Sequence, residues 1–182
     1  MAKRGTVQSS RALAVSQPTV RRYLDILEGV YMVRVLAPWH SNLQKRQVRS
    51  PKVHVTDSGV LHARLGIRSQ KDLLESPKVG ASWEGYAMSE VLRRLEPDEA
   101  YFWATHAGAE LDLLALKDGA RIGVEFKRAD APRLTTSMRT ALSDLALDRL
   151  VVVYPGTRRY DLASTVSVVP LGELAPSANW VL

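Results

Sequence analysis

The chain has 182 residues, 46% of them hydrophobic and 24% charged, with a formal net charge of +6. That is enough for one substantial domain, or for a small module beside a medium one, with an ordinary globular composition. No run of eighteen apolar residues occurs, and the start MAKRGTVQSSRALA lacks the apolar segment of a signal peptide. The absence of cysteine excludes disulfides and thiolate zinc sites and fits a reducing cytoplasm, which is the expected location.

The charge is unevenly spread. Residues 1–75 carry a net +8 and residues 76–182 a net −2. A basic segment joined to a slightly acidic one points to a nucleic-acid-facing module beside a domain of another kind. An uneven but idle surface is the plainer alternative.

In chain order, residues 10–14 read as a short helix followed by a turn at Val15–Ser16. Ser16 or Gln17 can cap a second helix whose first position is Pro18, where a missing N–H costs nothing. Val20, Leu24 and Leu27 then recur at helical spacing. YMVRVLAPW and QVRSPKVHVTD alternate as strands, and a hairpin between them would be the wing of a winged-helix-like module. Its first helix is barely present, so the module at residues 1–75 reads as incomplete. Arg21 and Arg22 fall on the outer side of the second helix. With Lys45, Arg46, Arg49 and Lys52 they form the expected DNA-contacting set. Asp57 or Ser58 caps a following helix, VLHARLG, and SPKVG at 76–80 reads as a linker, placing a domain boundary near residue 76.

The second domain, residues 76–182, opens with a helix over 81–96. Trp83, Ala87, Met88, Val91, Leu92 and Leu95 cover one wide face of it, and Glu84 falls near the middle of that face. A carboxylate there needs a partner, either a buried cation or a metal. Three strands follow, YFWAT, ELDLLAL and RIGVEFK, joined by the turns HAGA and KDGA. His106, in the first turn, reads as a loop residue near the mouth of a site.

Asp112 is flanked by Leu111, Leu113 and Leu114, while Glu125 and Lys127 share one face of the third strand. Adjacent strands bring Asp112 close to Glu125. Two such carboxylates repel unless a hard cation joins them, and Mg²⁺ (or Mn²⁺) is the expected cofactor. Lys127 could then orient a water or stabilise charge on phosphate, which is the chemistry of phosphodiester hydrolysis. A salt-bridged sheet surface is the alternative. An amphipathic helix within 133–147 and the strands LVVVYP and STVSVVPL complete an α/β layer with a mixed sheet.

Five blocks in order carry a resemblance: SQPTVRRYLDILEGVYMVRVLAPWHSN, KRQVRSPKVHVTDSGVLHARLG, GASWEGYAMSEVLRR, YFWATHAGAELDLLAL and GVEFK. Together they resemble the domain of unknown function 4143, which usually forms the C-terminal part of bacterial and archaeal AAA-type ATPases. The resemblance implies a winged-helix segment followed by a restriction-endonuclease-like, PD-(D/E)XK fold. It places the helix glutamate at Glu84, the strand aspartate at Asp112 and the ExK at Glu125 and Lys127, with Glu84, Asp112 and Glu125 as metal ligands.

No GxxxxGK[ST] occurs, so no ATP hydrolysis is expected of this chain, which reads as a shortened or free-standing form. The expected function is that of a metal-dependent nuclease acting on DNA. A non-catalytic module that binds nucleic acid or docks on an AAA-type ATPase is the alternative.

Overall fold

A computed structural model describes residues 14–39 and 50–174. These divide into two compact units. Of the described residues, the first holds 14–37 together with Ser50–Tyr86, and the second holds 38–39 and 87–174. The residues expected to form the first short helix lie mostly outside the described ones.

The first unit opens with α1, Gln17–Gly29. The Ser16 side chain accepts from the Thr19 N–H at 3.3 Å and proline occupies the first turn, so the chain starts the helix where an orphan N–H is satisfied or absent. Val20 is its buried residue. The strands β1 (Val33–Pro38) and β2 (Lys52–Val55) pair antiparallel, with Val33 opposite Val55 and Leu36 opposite Lys52. Asp57 then caps α2, Ser58–Arg64, accepting from the Val60 N–H at 2.9 Å. A further short helix, α3 (Gln70–Glu75), starts at a reciprocal box in which Ser69 and Asp72 each satisfy the other's backbone N–H.

Helix α4, Val79–Leu95, continues across the division between Tyr86 and Ala87. Within the second unit it buries Ala87, Met88, Val91, Leu92 and Leu95. There follow β3 (Glu99–Ala104), β4 (Glu110–Lys117), β5 (Ala120–Phe126), α5 (Thr136–Asp144), β6 (Arg149–Tyr154), β7 (Tyr160–Ala163) and β8 (Val166–Pro170).

The six strands form a mixed sheet in the order β3-β4-β5-β6-β8-β7. The pairs β3/β4, β4/β5 and β7/β8 are antiparallel, while β5/β6 and β6/β8 are parallel. The β4–β5 turn is built on Asp118 (φ 50°) and Gly119 (φ +81°), the successive left-handed pair that matches hairpin twist. The parallel step from β5 to β6 runs through α5, which buries Met138 and Ala141 against Trp103, Leu111, Leu114, Leu145 and Leu150. A Cβ at Gly123 of β5 would stand 2.6 Å from Leu147 Cδ1, so a larger residue there would force that leucine to shift. β4, β5, β6 and β8 are buried along most of their length, so any charge set into them meets little water. Among the described residues no helix is long and apolar enough to cross a membrane.

Candidate functional site

Asp112 and Glu125 are two such charges. The β4/β5 ladder pairs Leu113 with Val124, and one further step in the same register sets Asp112 against Glu125. Both are buried, at 7% and 2% exposure. Asp112 Oδ2 accepts the Phe126 N–H at 3.2 Å, which fixes the carboxylate across the strand gap. Lys127 lies just past the end of β5, where its own N–H donates to the Val153 carbonyl of β6 at 2.9 Å. Its Nζ is 2.6 Å from Glu125 Oε2, and its side chain remains 40% exposed. The structure therefore brings Asp112, Glu125 and Lys127 together at one end of the β4–β5 hairpin.

The proton affinities of the cluster follow from its charge balance. Burial, and next the charge of Asp112, push the Glu125 carboxyl up to about 8, against the pull of Lys127. Burial acts to strip the proton from Lys127, but Glu125, then Asp112 and Glu110, outweigh it and raise the ammonium above its usual range. The neighbouring acids act in the same direction on both groups, favouring the protonated form of each. Glu110 was not among the expected site residues. A register shift between Leu111 and Leu114 breaks the alternation of β4 there, so residue spacing alone carries no signal for it. Its backbone is pinned by α5: the Glu110 N–H donates to Ser137 Oγ, and that hydroxyl donates to the Glu110 carbonyl, both at 2.7 Å.

Among the described residues, no group of three or more His, Asp or Glu side chains is assembled as a metal site. A cation here would rest on the buried pair Asp112 and Glu125. Mg²⁺ accepts that arrangement, because it commonly takes one or two carboxylates and fills its remaining positions with water and phosphate. Burial, and next the charge of Asp112, raise the Glu125 carboxyl, and a divalent cation would favour its ionised form against both, so the donor set fits such an ion.

Glu84 lies in the first unit. It faces Lys52, Oε1 to Nζ 3.9 Å, with the lysine side chain only 6% exposed and that of Glu84 22% exposed. Lys52, expected at a DNA surface, is therefore turned inward on β2. Arg21 and Arg22 are exposed on α1, Arg21 holding Asp25 at 3.0 Å. Lys45, Arg46 and Arg49 lie outside the described residues. His106 is exposed in the β3–β4 turn.

A family model described as a domain of unknown function, DUF4143, matches residues 79–174. That span covers the helix α4, the whole six-stranded sheet and the carboxylate cluster. The chain belongs to the DUF4143 family. A second model, DUF8612, also described as a domain of unknown function, matches residues 5–71. Two curated relatives are similar over nearly the full chain: "Uncharacterized protein Rv2008c" of Mycobacterium tuberculosis and "Uncharacterized protein Mb2031c" of Mycobacterium bovis. Each is 46% identical over 170 residues, which is 93% of this chain and 38% of the relative. The chain thus spans well under half the length of these relatives. No solved structure matches it.

Proposed function

We infer that the DUF4143 region is a metal-dependent phosphodiesterase domain of the restriction-endonuclease-like type, acting on DNA. The observation that carries this reading is the buried Asp112–Glu125 pair on adjacent strands with Lys127 at its edge. The order of elements supports it: a helix, an antiparallel three-strand meander, a helix and a parallel strand, with the acids on the second and third of those strands.

Asp112 and Glu125 would hold Mg²⁺ or Mn²⁺, which when bound supplies neutralisation of phosphate charge and a more acidic water. The other roles belong to the chain. The Phe126 N–H orients Asp112, so the carboxylate need not reorganise on binding. Asp112 and Glu125 are themselves buried, and in such a water-poor setting every charge interaction is strengthened. Lys127, half in solvent and held by Glu125, presents its ammonium to the phosphate. There it positions a water and offsets charge that develops on the phosphoryl oxygens.

Calorimetric titration of Mg²⁺ and Mn²⁺ into the wild-type chain and into Asp112→Ala tests the reading. Saturable binding is expected in the first and none in the second, with DNA cleavage abolished by Lys127→Ala. Absence of metal binding in the wild type would remove the reading at its first step.

The charge asymmetry favours a second reading for the N-terminal region. A net +8 over residues 1–75, with Arg21 and Arg22 exposed on α1, supports a winged-helix-like nucleic-acid-binding module that needs no catalysis. It predicts salt-dependent DNA binding that survives Asp112→Ala. An AAA-type ATPase domain or subunit is the protein partner that such a docking module would take.

A further inference from the structure

The parallel strands β5 and β6 end side by side, with Phe126 opposite Val153. The chain leaves them in two loops, 127–135 and 155–159, both within the second unit. These loops carry Lys127, Arg128, Arg133, Arg158 and Arg159 against one acid, Asp130. Residues 76–182 carry a net −2, so positive charge is gathered at one end of a domain that is otherwise acidic.

The loops are fixed through tyrosines and backbone groups, which leaves three of the arginines for other work. Tyr154 Oη donates to the Arg158 carbonyl at 2.6 Å and accepts the Arg158 N–H at 2.9 Å. Gly156 lies on the same ring, where a Cβ would stand 2.1 Å from Tyr154 Cε2. Tyr160 Oη donates to the Pro132 carbonyl at 3.0 Å, which ties the first loop to the strand that follows the second. Arg128, Arg133 and Arg158 are exposed, and among the described residues no ion pair engages them.

Like charges gathered on fixed loops repel one another, and bound anions relieve that repulsion. Arginine presents a planar fork of donors that meets a phosphate in two parallel bonds. Several forks at one sheet end suit a chain of phosphates better than a single one. The place fits as well, because open α/β sheets take their ligands beyond the carboxyl ends of the parallel strands. Lys127, which opens the first loop, is already held by Glu125 of the carboxylate cluster at 2.6 Å. A phosphodiester that reaches the cluster therefore passes beside these loops.

We propose that Arg128, Arg133 and Arg158 grip the DNA phosphates that flank the one held at Asp112 and Glu125. The strand then runs across the carboxyl ends of β5 and β6. The proposal rests on the phosphodiesterase reading above for the point of cutting, and it gives the second unit a hold of its own on the backbone. Phosphate contacts position a strand without reading its bases, so this grip is indifferent to sequence.

The test uses the full chain and fluorescence anisotropy of labelled DNA over a range of salt concentrations. Each neutralised phosphate adds about 0.7 to the slope of log affinity against log salt for a single strand, and about 0.9 for a duplex. Replacing Arg128, Arg133 and Arg158 together by glutamine is expected to lower the slope by about 2 to 3. Replacing the same three by lysine keeps the charge and is expected to restore the slope, which a folding defect would not allow. Arg149→Gln, at the opposite end of β6, is expected to leave it unchanged. An unchanged slope in the glutamine variant, a loss that lysine does not restore, or an equal loss per charge in Arg149→Gln would overturn the proposal. The wild-type Mg²⁺ titration separates these outcomes from failure of the reading beneath. A slope that depends on the arginines without Mg²⁺ binding upholds the grip and removes the phosphodiesterase. Mg²⁺ binding with a slope indifferent to the arginines does the reverse.

Discussion

Each unit of the molecule holds a glutamate against a lysine, and the two pairs are built differently. In the first unit Glu84 meets Lys52 at 3.9 Å, and the lysine is the more deeply buried partner. In the second, Glu125 meets Lys127 at 2.6 Å, and there the carboxylate is buried while the ammonium reaches solvent. Lys127 also feels Asp112 and Glu110, so three acids share one base. The same two residue types therefore do different work. A buried lysine matched by a glutamate offsets its own desolvation. A buried glutamate beside a second buried acid keeps its proton to high pH, and a further cation is what would favour its ionised form.

The largest expected effect breaks the comparison at its acidic end. Asp112→Asn removes one of the two buried carboxylates, and calorimetry should then detect no Mg²⁺ binding. In Glu84→Gln the affinity should stay within about threefold of wild type, since ligand-shell losses cost about ten- to a hundredfold and Glu84 already serves Lys52. A Glu84→Gln affinity as low as that of Asp112→Asn would erase the distinction between the pairs.

The pH dependence of stability comes next. Glu125 is held up to about 8 in the folded chain, against an ordinary 4.5. Between those values the folded state carries a proton that the unfolded state has released. Stability therefore falls as pH rises, the contribution being full below about 4.5 and lost above about 8. Its ceiling is about 5 kcal/mol, at 1.36 kcal/mol per pKa unit. Urea midpoints of the metal-free protein should drop between about pH 5 and pH 8.5, and Glu125→Gln should flatten the slope. A slope that persists in Glu125→Gln would place the titrating group elsewhere.

Breaking the other pair should cost stability rather than ligand affinity. Glu84→Gln leaves the Lys52 ammonium buried beside a neutral amide, which costs about 1–3 kcal/mol. Lys52→Met, which removes the buried charge and keeps much of the volume, should cost less than Glu84→Gln. Chemical denaturation of the two variants at one pH reads the difference, and the reverse order would show that Lys52 does not depend on Glu84.

Much of this arrangement was legible in the residues themselves. Ser16 before Pro18, Asp57 before its helix, and Asp118–Gly119 between two strands are local signals, and the chain obeys each of them. Asp112, Glu125 and Lys127 were legible because polar residues interrupt otherwise apolar strands. Three features were not. α3 has apolar residues only at Leu73 and Leu74, so no periodic face announces it, although Ser69 and Asp72 spell its cap. β7 is a four-residue edge strand of alternating half-exposure, too short for a pattern to emerge. On β2 the hydrophobic rule runs backwards: Lys52 and His54 are buried while Val53 and Val55 are only half-buried. A tertiary partner, Glu84, makes that inversion stable, and no reading confined to the strand could supply it.

The inversion on β2 also yields the smallest and most local prediction. Arg22 is exposed on α1, whereas Lys52, its equal by sequence charge alone, is 5% exposed. Only a cation in solvent can displace counterions from a phosphate backbone. Arg22→Ala should therefore lower the slope of log affinity against log salt by about one while weakening DNA binding across sequences alike. Lys52→Met should leave that slope unchanged, because its ammonium already has a carboxylate and never meets the phosphate. Fluorescence anisotropy of one labelled duplex over a range of salt concentrations measures both. A loss of slope in Lys52→Met would mean that DNA draws Lys52 away from Glu84, and the pair in the first unit would then be a latch rather than a fixed support.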